Sequence, residues 1–224
     1  WSAVEHVAAL GLEWMETDLR LTADGIVVLS HDEDLRRTAG DPRTVGEVMW
    51  AELADLDSGD GRGFVRLDDA LYAQPAMKFN IDLKDSSVVQ AALQTVRDAQ
   101  ALDRVRFASF SARRLAVLRR QEPRAMTSLG VSDVLGLMLR SEAAVPLPQT
   151  RWGWTRGRVD AVQVPESYHG VPVVTRRFVA SAHTAGLEVH VWTVDDPERM
   201  RHLADLNVDA IMTDVPRLAI KTLG

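Results

Sequence analysis

Residues 13–34 read E-W-M-E-T-D-L-R-L-T-A-D-G-I-V-V-L-S-H-D-E-D, and the reading of this stretch decides the fold. Glu16 and Asp18 stand two apart in an extended run, so both carboxylates project from one face of a strand. Asp24-Gly25 signals a tight turn, and Ile26, Val27 and Val28 open a returning β-branched strand that ends at His31-Asp32. Two carboxylates on one face with an imidazole nearby can hold a hard divalent cation and move a proton beside it. A lone E-x-D pair on a strand is more often a solvated surface. A second stretch with the same alternation changes that balance: in Asn80-Ile81-Asp82-Leu83-Lys84, Asp82 and Lys84 share one face while Ile81 and Leu83 share the other.

Outward from these two stretches the chain alternates. Apolar Val4, Val7, Ala8 and Leu10 predict a helix over 2–10, with Gly11 as its C-terminal stop. Residues 33–66 form an excursion with a short helix around 45–53, and its glycine-rich 58–63 piece reads as a plain loop. It lacks the Lys-Ser/Thr of a P-loop and the ligand spacing of an EF-hand. Helices follow at 67–73, 87–101 (capped by Ser86 or Ser87), 111–120 (basic-faced), 133–140, 176–185, after Asp195-Asp196-Pro197, and at 217–223. Strands fall at 77–83, 105–109, 126–130, 161–164, 188–194 and 209–213, and a Pro- and Trp-containing loop spans 143–158. Such alternation means a parallel sheet with helices outside.

We therefore expect a single domain over 1–224, a (β/α)8 barrel of the TIM type. Seven core strands are counted, and the sequence opens at Trp1-Ser2-Ala3 without an initiator Met, so the first strand is expected upstream. An open doubly wound sheet is the competitor. It is disfavoured because no glycine-rich fingerprint follows a strand, and because the candidate functional residues come from several strand ends.

Composition narrows the function. Apolar residues make up 46% and charged residues 26%, as in ordinary soluble domains. The net charge of −6 argues against nucleic acid as partner. No apolar run approaches membrane-spanning length, so no stable membrane insertion is expected, and we take the cytoplasm as the expected location. Cysteine is absent, which excludes disulfides, thiolate nucleophiles and cysteine-ligated zinc.

The residues resemble the glycerophosphodiester phosphodiesterase family of TIM-barrel enzymes. E-T-D-L-R-L-T-A-D-G-I-V-V-L-S-H-D-E-D-L-R-R-T at 16–38 and F-N-I-D-L-K at 79–84 carry the match, supported by A-S-F-S at 108–111, V-W-T-V-D at 191–195 and D-A-I-M-T-D-V-P at 209–216. The resemblance implies hydrolysis of a small-molecule glycerophosphodiester to sn-glycerol 3-phosphate and an alcohol, with one divalent cation, Ca²⁺, Mg²⁺ or Mn²⁺. It assigns Glu16, Asp18 and Asp82 as metal ligands and His31 as a catalytic histidine. Lys84 becomes a catalytic, basic residue contacting the phosphate, and Trp192 a wall of the pocket for the glycerol or alcohol part. Two departures stand out. Asp82 replaces the family's usual Glu and is one methylene shorter. The family's opening H-R-G and E-N-T elements are not in this sequence, so a second histidine is expected upstream of Trp1.

The remaining chemistry-bearing residues carry less. His6, His183 and His202 fall on helices, His169 in a loop, and His190 alternates with Trp192 on a strand, where an inward orientation is open to it. The R-W-G-W-T-R cluster at 151–156 is a candidate gating or partner-contact loop. Two other functions fit the same motifs: a phospholipase-D-like lyase on lysophospholipids, and a non-catalytic metal-binding barrel.

Overall fold

The computed structural model describes residues 1–59, 61–142 and 157–224, so the expected tryptophan cluster at 151–156 lies outside the described residues. Two compact units divide the chain, residues 1–109 and 110–224.

In the first unit the order is α1 (Ser2–Ala9), β1 (Trp14–Leu21), β2 (Val27–Leu29), α2 (Arg36–Ala39), α3 (Trp50–Ala54), β3 (Val65–Arg66), α4 (Leu67–Ala73), β4 (Lys78–Leu83), α5 (Val88–Asp98) and β5 (Val105–Ala108). Gly11, just past α1, adopts φ +70°, the left-handed conformation that a glycine enters without a Cβ clash. β1 is central. It runs antiparallel to β2, with Leu19 opposite Leu29, and parallel to β4, with Asp18 opposite Asp82. β4 continues the parallel ladder to β5, and β2 pairs with the short β3.

The sheet is two-faced because side chains alternate along each strand. Leu19, Phe79, Ile81, Leu83, Val105 and Phe107 are wholly buried on one side. The inner stripe of α5 (Val88, Val89, Ala92, Leu93 and Val96) is buried as well, and α5 packs on β1. On the other side stand Glu16, Asp18 and Arg20 of β1, Asn80 and Asp82 of β4, and Arg106 of β5. Near the start of that face the cations of Lys78 and Arg106 lie 5.5 Å and 4.8 Å from the ring centroid of Trp14.

Two expectations need correction here. The helix predicted over 45–53 is two pieces, a 3₁₀ turn at Val45–Glu47 and α3. Between them Val48 and Met49 are extended, because the Val48 carbonyl accepts Ala23 N–H from the β1–β2 turn and Val48 itself is buried with Val28, Leu35 and Leu53. Helix α2 and strand β3 were not anticipated; each is too short to show a period. As expected, Ser87 is the N-cap residue of α5, but its side chain makes no capping hydrogen bond; Asp85 Oδ1 instead accepts the N–H groups of Ser87 and Val88.

In the second unit the order is α6 (Ala112–Gln121), β6 (Met126–Thr127), α7 (Val131–Glu142), β7 (Ala161–Pro165), β8 (Ser167–Tyr168), β9 (Val171–Pro172), α8 (Arg176–Thr184), β10 (Glu188–Trp192), α9 (Pro197–Asp205), β11 (Ala210–Ile211) and α10 (Pro216–Leu223). β10 is parallel to both β7 and β11, and Ser128, following β6, makes a parallel bridge to Ala161. Val162, Val164, Val189 and Val191 from the sheet pack with Phe178, Val179, Met200 and Leu203 from α8 and α9. As expected, Asp196 caps α9, with Pro197 in its first turn. The small β8–β9 hairpin went unrecognised because each strand is only two residues long and all four residues are exposed.

Helix α6 is not uniformly basic on its surface. Arg119 lies on the inner stripe with Leu115 and Leu118 and is wholly buried. Its Nε donates to Thr127 Oγ1 at 2.7 Å and its Nη2 to the Ser128 carbonyl at 2.6 Å, which anchors α6 to the end of β6. Burial lowers the Arg119 pKa, partly offset by the fields of Asp133 and Asp160. Among the described residues no helix is long and apolar enough to cross a membrane.

Candidate active site

The parallel register of β1 and β4 builds the core of the site. Asp18 and Asp82 are direct cross-strand partners near the C-terminal ends of their strands, where barrel and α/β enzymes place their chemistry. Lys84, two residues beyond Asp82, sends its ammonium between them, 2.7 Å from Asp18 Oδ1 and 3.0 Å from Asp82 Oδ2. All three side chains are largely shielded from solvent, with 11%, 11% and 19% exposure for Asp18, Asp82 and Lys84. Burial works against the charge on Lys84, but the two carboxylates outweigh it, and the lysine pKa is raised above its usual value.

Glu16 lies on the same face of β1, opposite Asn80, but is exposed. Two residues of strand separate its Cα from that of Asp18 by about 7 Å. Among the described residues no three acidic or histidine side chains converge as a metal cluster. The sequence grouped Glu16, Asp18 and Asp82; the structure brings the two aspartates together around Lys84 and leaves Glu16 one pleat repeat away.

A divalent cation nonetheless suits the aspartate pair. One ammonium faces two carboxylates, and Asp82 Oδ1 is buried without a hydrogen-bond partner. A buried carboxylate oxygen without a donor is costly, and hard oxygen ligands are the set that Ca²⁺, Mg²⁺ and Mn²⁺ prefer.

His31 follows the end of β2. Its segment is tied to β1 by Ser30 N–H donating to the Asp18 carbonyl at 2.9 Å, and by Arg20 Nη2 donating to the His31 carbonyl at 3.3 Å. The imidazole is 70% exposed, and Nδ1 lies 2.8 Å from Asp32 Oδ1. Asp32 and Arg37 were given no role in the sequence, although the H-D-x-x-x-x-R spacing contains both. Trp192 is the last residue of β10 in the second unit, with the exposed ring of Phe110 packed edge-on at a centroid distance of 5.7 Å. Two of the other histidines have local partners. His183 meets Asp209 at 2.8 Å, and buried His190 lies between Glu188 and Gln163.

Residues 2–218 match the model of the glycerophosphoryl diester phosphodiesterase family. The chain belongs to that family. A Mycobacterium tuberculosis protein named "Probable glycerophosphodiester phosphodiesterase 2" is 37% identical over 95% of this chain and 80% of its own length. A glycerophosphodiester phosphodiesterase structure from Parabacteroides distasonis superposes with a TM-score of 0.77 at 22% identity, covering 97% of this chain and 86% of its own. An Oleispira antarctica phosphodiesterase in complex with the product sn-glycerol-3-phosphate has a TM-score of 0.75 at 20% identity, covering 98% of this chain and 88% of its own. The family's α/β fold of the TIM-barrel class is the one the strand–helix alternation predicted.

Proposed function

We propose that this chain hydrolyses glycerophosphodiesters to sn-glycerol 3-phosphate and a free alcohol, with a divalent cation (Ca²⁺, Mg²⁺ or Mn²⁺) held at Asp18 and Asp82. The observation that carries this reading is the Asp18–Lys84–Asp82 arrangement at the ends of adjacent parallel strands, in a chain of this family. Glu16, on the same face, is the third oxygen ligand in this proposal.

Phosphodiesters are anionic and resist attack, so catalysis needs the non-bridging oxygens neutralised and the leaving alkoxide protonated. The cation, when bound, supplies Lewis acidity at a phosphoryl oxygen. Lys84 contributes a fixed positive charge for the phosphate, its ammonium already stationed at the carboxylates. His31 moves the proton, an imidazole being suited to exchange near neutrality.

The test is hydrolysis of glycerophosphocholine and glycerophosphoethanolamine by the full-length protein, with and without EDTA, beside Asp18→Ala. Release of glycerol 3-phosphate that EDTA and the substitution both abolish is the expected result. No turnover of any glycerophosphodiester in the presence of Ca²⁺, Mg²⁺ or Mn²⁺ would sink the assignment.

A further inference from the structure

His31 is exposed, and an exposed imidazole is free to rotate and to exchange tautomers unless something holds it. Its neighbour does hold it. Asp32 Oδ1 lies 2.8 Å from His31 Nδ1, and Asp32 Oδ2 accepts a hydrogen bond from Arg37 Nε at 2.6 Å. Each carboxylate oxygen thus has its own partner, and the three side chains form a line from α2 to the ring. Asp32 itself is only 24% exposed, and its own backbone carbonyl accepts Ser30 Oγ–H.

A purely structural explanation is available for a neighbouring acid but not for this one. Asp34, not Asp32, accepts the Arg36 N–H at the start of α2. Asp32 is therefore not needed as a helix cap, and both its side-chain oxygens are spent on His31 and Arg37. The backbone of His31 is held separately, by Arg20 at its carbonyl.

We propose that Asp32, oriented by Arg37, is the positioning residue of His31: it keeps the proton on Nδ1 and presents the Nε2 lone pair to the reacting groups. The proposal rests on the reading of His31 as the group that moves a proton. A carboxylate accepting from one ring nitrogen fixes which nitrogen stays free, and orients the ring. The Arg37 guanidinium, followed by the His31 ring, holds the Asp32 carboxyl below its usual pKa, so it remains an anion at neutral pH.

The tautomer is read directly, from ¹⁵N shifts of labelled histidine in the metal-free full-length protein above neutral pH. The parent should show His31 protonated at Nδ1, the minor form of free histidine, and Asp32→Ala should shift it toward Nε2–H. In glycerophosphodiester turnover Asp32→Ala should lower kcat about 10- to 100-fold with KM little changed. Arg37→Ala should lose part of this and Arg37→Lys recover some of it, and Asp32→Ala should add little to His31→Ala. An unchanged tautomer and an unchanged kcat in Asp32→Ala, with His31→Ala inactive, overturn the positioning role alone. Full activity in His31→Ala overturns the reading of His31, and the proposal with it, whatever the tautomer does.

Discussion

The ammonium of Lys84 lies 2.7 Å from Asp18 Oδ1, although Asp18 stands on β1 and Lys84 just past the end of β4, with the whole 33–66 excursion between them. The contact comes from the parallel register, which brings Asp18 level with Asp82 and leaves Lys84 one same-face step further on. Lys84 is thereby the counter-ion of two shielded carboxylates. Replacing it with Met leaves them facing each other without a cation. Lys84→Met should destabilise the EDTA-treated protein by on the order of 2 kcal/mol. Ca²⁺ or Mg²⁺ should then raise the melting temperature more in the variant than in the parent. Thermal unfolding with and without each cation checks both parts.

Asp82→Asn keeps the size of the side chain and removes its charge. Glycerophosphodiester turnover should fall about 10²- to 10³-fold, the scale of losing one electrostatic contact to the reacting group. Asp82→Glu should retain more activity than the amide, since it preserves the anion. Steady-state rates at saturating cation distinguish the two.

The turn-and-helix segment between β1 and β3 should loosen first in acid. Asp24, Asp32, Asp41, Glu47 and Glu52 all have carboxyl pKa values below their usual range, each through a hydrogen bond to its carboxylate: from Thr22, Arg37, Arg43, the Thr44 backbone and Arg43 respectively. A carboxyl depressed on folding contributes stability that is present above its unfolded value, and that stability is lost as pH falls through the folded one. Amide exchange followed from pH 6 toward pH 3 should therefore show protection in 41–54 declining before protection in β4 and α5.

Arg119 gives a prediction in the second unit. Arg119→Ala removes two hydrogen bonds to the end of β6 and leaves a void, and it should cost about 2 kcal/mol. Arg119→Met should cost less, because it fills the space without a charge to bury. Gly157→Ala should also destabilise. Its φ is +111°, and a Cβ there would stand 2.8 Å from the Arg119 Cβ. Denaturant titration ranks the three.

Much of the fold was legible because long strands and helices announce their period. Trp14–Leu21, Lys78–Leu83 and Val88–Asp98 each alternate or repeat over enough residues to be read, and the apolar side of each is buried. What escaped was short or set by distant partners. The break at Val48 depends on an N–H twenty-five residues earlier, and the first N–H groups of α5 are satisfied by an acid two residues before its N-cap. The site was legible as a face: Glu16 and Asp18 do share one side of β1, and Asp82 does lie beside Asp18. Which acids meet was not, because spacing along one strand says nothing of how far a neighbour's lysine reaches. Nor did the sequence mark Asp32 and Arg37, whose meaning lies in contacts with a ring rather than in periodicity.

The alternation along β1 and β4 also makes the greasy side of the sheet a ruler for the polar side. Leu19, Ile81 and Leu83 are sealed from water, and they are the immediate chain neighbours of Asp18, Asp82 and Lys84. Sliding either strand by one residue would turn its sealed side chains into water and its charged ones into oil, a penalty far beyond any contact in the site itself. The alignment of the two aspartates is thus inherited from packing on the opposite side. One acid can be exchanged for another without having to solve again the problem of where they stand.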